Sequence, residues 1–94
     1  MQKEVQKPLD EIFSSKGRVR ILVLLSNAIE LNISEIARRT GLNYATTDKH
    51  LKELEDAGII QQKKFGRIRI YKFNDSNLRA QAIRKLVESW KQST

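Results

Sequence analysis

Apolar positions recur at helical spacing in three stretches of the chain and alternate in a fourth. Val19, Ile21, Leu22, Val23 and Leu25 give a broad apolar face to a helix over residues 16–27, with Ser14 or Ser15 as its cap. Thr47, Leu51 and Leu54 follow i, i+4, i+7, and Ala57 extends the stripe, so a helix over 44–57 turns those positions inward. Leu78, Ala82, Ile83, Leu86, Val87 and Trp90 form a wider stripe on a last helix over 76–91, preceded by the polar break Asn74–Asp75–Ser76. Between the last two, residues 59–65 and 68–73 read as strands. Pro8 marks the start of ordered structure, with a short helical turn over 8–13.

Local signals divide the middle of the chain sharply. Asn32 is a suitable N-cap, Glu35 completes a capping box, and Leu31 with Ile36 forms a hydrophobic staple across it, so a helix begins at Ile33. A short strand over 30–33 is positioned to pair with the later hairpin. Gly41 permits the turn that ends the helix, Asn43 caps the next one, and Gly58 closes that one at a C′ position. Two helices joined by a tight turn over 33–57 have the spacing of a helix-turn-helix. The second, roughly 20 Å long at ~1.5 Å per residue, is long enough to cross a DNA major groove.

Gly66-Arg67 matches a two-residue hairpin turn with glycine at its first central position. That register pairs Ile60 with Phe73, Gln62 with Tyr71 and Lys64 with Arg69. It gathers Ile60, Tyr71 and Phe73 on the core face and sets two cations opposite each other near the tip, an arrangement that calls for an anion. Charge sharpens the picture. Of the net +7 of this 94-residue chain, +5 falls in residues 58–73, which hold five bases and no acid. Such a concentrated patch is the footprint of a polyanion rather than of solubility alone; protection of strand edges by Lys and Arg is the structural alternative.

The stretch LNISEIARRTGLNYATTDKHLKELEDAGII followed by KKFGRIRIYKF resembles the winged helix-turn-helix of ArsR-like transcription regulators over roughly residues 9–73, with the last helix similar in placement. The resemblance implies a mainly α fold of four to five helices with a two- or three-stranded antiparallel wing, forming one domain over residues 1–94, and a homodimeric regulator of double-stranded DNA. Thiolate metal sensors of that family carry cysteines where this chain has Asn32 and Ser34, and others use a last-helix His that is missing here. The resemblance therefore implies a regulator without a recognisable metal sensor, and no cofactor is expected.

The residues assign roles within that frame. Asn43, Tyr44, Ala45, Thr46, Asp48 and Lys49 lie on the early turns of the second motif helix, where related folds reach base edges. Asn43 also serves as a cap, Tyr44 also reads as a surface aromatic, and Asp48 also has an i+4 partner in Lys52. Lys63, Lys64, Arg67 and Arg69 of the hairpin are the expected backbone or minor-groove contacts. Glu53, Glu55 and Asp56 crowd the other end of the helix and direct it away from phosphate. Lys16, Arg18 and Arg20 read as surface charge on their helix, with phosphate contact as the functional alternative. Leu78, Ala82, Ile83, Leu86, Val87 and Trp90 are the expected dimer seam. His50, the single histidine, reads as structural, since a metal site needs several ligands.

Several classes are disfavoured. The chain has no cysteine, no phosphate-cradling glycine loop and no nucleophile–base pair, so an enzyme is not expected. No apolar run approaches membrane-spanning length and the first eight residues do not resemble a signal peptide, so the expected location is cytoplasmic. Two rivals remain: a non-specific architectural DNA-binding protein, and a winged helix that binds protein.

Overall fold

Caps and turns fix the element boundaries of the computed structural model, which describes residues 7–92. The order is α1 (Leu9–Ile12), α2 (Lys16–Ser26), β1 (Leu31–Asn32), α3 (Ile33–Thr40), α4 (Tyr44–Asp56), β2 (Ile60–Phe65), β3 (Ile68–Phe73) and α5 (Leu78–Gln92). Ser15 Oγ accepts from the Arg18 amide at 3.0 Å and opens α2. Asn32 Oδ1 accepts from the Glu35 amide at 2.8 Å and opens α3. The returning half of the expected capping box is replaced: the Glu35 carboxylate pairs forward with Arg38 and Arg39. Those two guanidiniums, Arg39 first, hold it below the usual carboxylate range.

Gly41 ends α3 with φ of 77°, a left-handed conformation that costs an L side chain free energy. Asn43 Oδ1 then accepts from the Thr46 amide at 2.7 Å and opens α4 with only three residues between the two helices. The close of α4 is a Schellman motif. The Gly58 amide donates to Glu55 O and the Ile59 amide to Leu54 O, and Leu54 and Ile59 are both buried beside it.

The three strands form an antiparallel sheet in the order β1-β3-β2. The hairpin register is the expected one, with Ile60 opposite Phe73, Gln62 opposite Tyr71 and Lys64 opposite Arg69. Positive φ occurs at Gly66 but not at Arg67, as a type II′ turn requires. β1 adds the third strand through Leu31 opposite Tyr71 and Asn32 opposite Ile70. Ile21, Leu22 and Leu25 of α2, Ile36 of α3, Leu51 and Leu54 of α4, and Tyr71 and Phe73 of β3 fill the core.

Two details differ from the sequence expectations. Val23 is exposed, because the inward stripe of α2 runs through Ile21, Leu22 and Leu25 and leaves Val23 on the outside. The last helix starts at Leu78 rather than Ser76. Residues 74–77 form a turn closed by the Asn77 amide on Asn74 O, and Asn77 Oδ1 caps the helix by accepting from the amides of Arg79 and Ala80. α5 is held to the body by Arg84, which donates to Ser26 O at 3.2 Å and lies over the Phe73 ring.

A Cβ built at Gly41 meets nothing within 4 Å. Gly41→Ala is therefore expected to lower the unfolding free energy by about 1 kcal/mol through backbone strain alone, measured by denaturant titration with an unchanged m-value.

Candidate nucleic-acid interface

The orientation of α4 is decided on its buried side. Arg18 is only 5% exposed, although its sequence neighbours Lys16 and Arg20 are at the surface. Its Nε donates to His50 Nδ1 at 3.3 Å, its Nη1 donates to Glu11 O at 2.9 Å, and its Nη2 pairs with the Glu53 carboxylate. His50 Nε2 lies 3.4 Å from Ser15 Oγ. With Nδ1 accepting, the neutral ring carries its proton on Nε2, which donates to Ser15. One guanidinium thus joins α1, α2 and α4. This corrects the reading of Arg18 as surface charge. The signal was present in the sequence, since Arg18 precedes Ile21, Leu22 and Leu25 by three, four and seven positions and so shares their inward stripe.

Burial, followed by the charges of Arg18 and Lys49, depresses the His50 pKa below its ordinary value of 6.5. Burial likewise lowers that of Arg18. His50 and Glu53, three residues apart, join Thr47, Leu51 and Leu54 on the inward side of α4. Tyr44, Ala45, Lys49 and Lys52 are left exposed.

The hairpin meets the outer side of α4 through Arg69. Its Nη2 donates to Asp48 Oδ1 at 2.9 Å and to Tyr44 Oη at 3.2 Å, and its guanidinium lies over the Tyr71 ring at 5.9 Å. The hydrogen bonds to Tyr44 and Asp48 raise the Arg69 pKa. Asp48 is thus paired with the wing, not with Lys52. The anion demanded by the facing cations Lys64 and Arg69 is a carboxylate of the same chain. Tyr71, buried beneath, has its hydroxyl bonded by Gln62 at 2.9 Å, and burial raises its pKa.

The structure brings together Tyr44, Asp48 and Arg69, with Lys64 across the ladder from Arg69. Arg67 is exposed at the turn. Lys63 stands on the opposite face of the hairpin and approaches Glu30 at 3.9 Å. Asn43 has its side-chain oxygen committed to the cap, and Thr46 lies half-buried with its amide bonded to that oxygen. At the far end of α4, Glu53 is drawn inward to Arg18, while burial and the neighbouring Asp56 raise the Glu55 pKa.

The apolar stripe of α5 divides. Ile83 is buried in the protomer's own core, together with Ala80, and Val87 packs partly against it. Leu78, Leu86 and Trp90 are 78%, 49% and 71% exposed, and Ala82 is exposed with them. Leu86 borders two apolar grooves, of about 310 and 280 Å³, between α5 and the α1–α2 segment. Among the described residues no group of three or more His, Cys, Asp or Glu side chains is placed to hold a metal ion, and no helix is long and apolar enough to cross a membrane.

Residues 15–62 match the model of the bacterial regulatory protein arsR family. The chain belongs to that family. A 50-residue stretch is 30% identical to an uncharacterised HTH-type transcriptional regulator of Bacillus subtilis, YdgJ, and the match spans 30% of that relative's length. A predicted DNA-binding transcriptional regulator from Escherichia coli is similar in structure, with a TM-score of 0.74 and 26% identity over 92% of this chain and 85% of the other. HlyU from Vibrio cholerae gives a TM-score of 0.75 at 22% identity, covering 87% and 86%. A homodimeric winged helix-turn-helix DNA-binding domain from Mycobacterium bovis gives 0.70 at 23% identity, covering 87% and 73%. The fold is therefore the winged helix-turn-helix: α3 and α4 are its helix-turn-helix, and β2 and β3 its wing. The family is one of bacterial regulatory proteins.

Two measurements test the buried cluster. Glu53→Gln is expected to cost about 2 kcal/mol of stability, less than the 3–5 kcal/mol of a fully buried pair because Glu53 keeps some solvent contact. The folded pKa of His50 lies below its unfolded value, so the unfolded state takes up the proton first as pH falls. The stability His50 contributes is complete above about pH 6.5 and declines below it. In His50→Gln, melting curves from pH 7.5 to 5 are expected to lose that part of the pH dependence.

Proposed function

We propose that this regulator binds double-stranded DNA sequence-specifically as a homodimer, in the cytoplasm, with the N-terminal half of α4 in the major groove and the wing on the flanking backbone or minor groove. The observation that carries the reading is the Arg69 bridge from the wing to Asp48 and Tyr44. It makes the basic hairpin and the exposed turns of α4 one continuous surface. Asn43, Tyr44, Ala45, Thr46, Asp48 and Lys49 are the proposed base-facing set. Lys64 and Arg67 are the principal phosphate contacts, with Lys63 at the margin. Arg69, expected in that set from sequence, is engaged within the protein. The inward pull on Glu53 removes one acid from the DNA-distal end and leaves the basic wing dominant in the local field.

The proposed dimer seam is the exposed part of the α5 stripe, Leu78, Ala82, Leu86 and Trp90, with Val87 at its margin and Ile83 supporting it from within. Apolar side chains of this size exposed along one helix are the mark of a surface covered in the working assembly. The Mycobacterium bovis domain is homodimeric by its description and has the same fold. A two-fold dimer presents its α4 helices to half-sites about 34 Å apart, one turn of duplex.

Selection of duplexes from a random pool, followed by affinities measured across salt, tests the reading. A selected site preferred by ~10³-fold or more over unrelated duplex supports a specific regulator. Equal affinity for all duplexes leaves an architectural protein, and no binding at moderate salt leaves a protein-binding winged helix. Lys64→Ala,Arg67→Ala is expected to reduce the slope of log K against log salt by about 2 on any duplex. Leu78→Glu,Leu86→Glu changes side chains that are exposed in the protomer, so it is expected to sediment as a folded monomer where the wild type sediments as a dimer.

A further inference from the structure

Arg69 holds the most informative position in this interface, because its hydrogen bonds dictate what Tyr44 and Asp48 can still do. Resting on the DNA-binding reading above, we propose that Arg69 is a positioning residue that turns the Tyr44 hydroxyl into a donor aimed at a neutral acceptor on a base edge, and that it does not itself hold a phosphate. A phenolic hydroxyl both donates and accepts. Arg69 Nη2 occupies the accepting side of Tyr44 Oη at 3.2 Å. The hydroxyl proton has no other partner among the described residues, and Tyr44 is 53% exposed. The hydroxyl therefore offers DNA a hydrogen-bond donor.

Asp48 narrows the class of acceptor. Its Oδ1 is bound by the same Nη2 at 2.9 Å, and the carboxylate is partly exposed beside the tyrosine. A phosphate brought to this point meets a second anion, whereas purine N7, guanine O6 and thymine O4 carry no net charge. The carboxylate also accepts from an exocyclic amino group, so the pair Tyr44–Asp48 offers one donor and one acceptor side by side. Such a pair matches the N7 acceptor and N6 amino donor that adenine presents in the major groove. The two hydrogen bonds keep the Arg69 guanidinium turned onto α4 rather than out along the wing.

The experiment compares wild type, Arg69→Gln, Arg69→Lys, Tyr44→Phe, Asp48→Asn and Tyr44→Phe,Arg69→Gln on the selected duplex and on an unrelated duplex across salt, with thermal melts confirming that each variant is folded. Loss of one hydrogen bond of about 1 kcal/mol weakens binding roughly five- to tenfold. Arg69→Gln is expected to show that loss on the selected duplex alone, with its salt slope unchanged. Arg69→Lys keeps the charge but ends one bond short of Nη2, the atom that reaches both Tyr44 and Asp48, and is expected to lose as much. Tyr44→Phe is expected to lose as much again on its own, and the double variant no more than either single one. Asp48→Asn loosens the guanidinium toward phosphate and is expected to raise the salt slope by about 1 and to strengthen binding to the unrelated duplex. A salt slope that falls by about 1 in Arg69→Gln, with equal weakening on both duplexes, identifies Arg69 as a phosphate contact and overturns the proposal. So does full rescue by Arg69→Lys, or additive losses in the double variant. If the wild type itself does not discriminate between the duplexes, the specific-binding reading falls and this proposal with it.

Discussion

A guanidinium removed from water must have its donors satisfied, and that requirement at Arg18 sets the roll of α4. An unpaired buried charge is far more costly than the pairing is favourable. Glu11 O, His50 and Glu53 therefore have to converge on it. Two of the three lie on α4, one helical turn apart. Once they face inward, Tyr44, Ala45 and Lys49 have no choice but to face out. The proposed reading surface is thus specified from behind, by polar contacts in the interior, as much as by its own exposed residues.

The wing is held by the same logic applied at the surface. Lys64 and Arg69 stand opposite each other in the ladder, and their repulsion is relieved by Asp48 from the neighbouring helix. The result is two charge-assisted joints on opposite sides of α4, one buried toward α2 and one half-exposed toward β3. Between them the helix has Thr47, Leu51 and Leu54 in the core. Rotation about its own axis breaks at least one joint in either direction. Rigidity of that kind allows a short helix to present donors and acceptors in a fixed register.

Elements ruled by near neighbours were legible in the sequence. Asn32, Gly41, Asn43, Gly58 and Gly66 act over a few residues, and the helix-turn-helix and the hairpin register followed from them. The start of α5 was misplaced because several polar residues in a row can each serve as a cap, and Asn77 prevails through the turn that precedes it. Partners far apart in sequence were not legible. Arg18 with Glu53, and Arg69 with Asp48, depend on how helices and strands cross, which no local pattern encodes. The α5 stripe shows the remaining limit: periodicity marks Ile83 and Leu86 alike as apolar, and only packing separates the buried one from the exposed one.

Asn32 closes β1 with its main chain opposite Ile70 and opens α3 with its side chain. A single residue therefore serves as the last rung of the wing sheet and the first support of the helix-turn-helix, with no linker between the two. Mechanically this is a rigid joint with no arm. A shift of β3 along the sheet cannot be absorbed before it reaches α3, and a tilt of α3 must be felt in the wing. The join at Asn32 behaves as a weld.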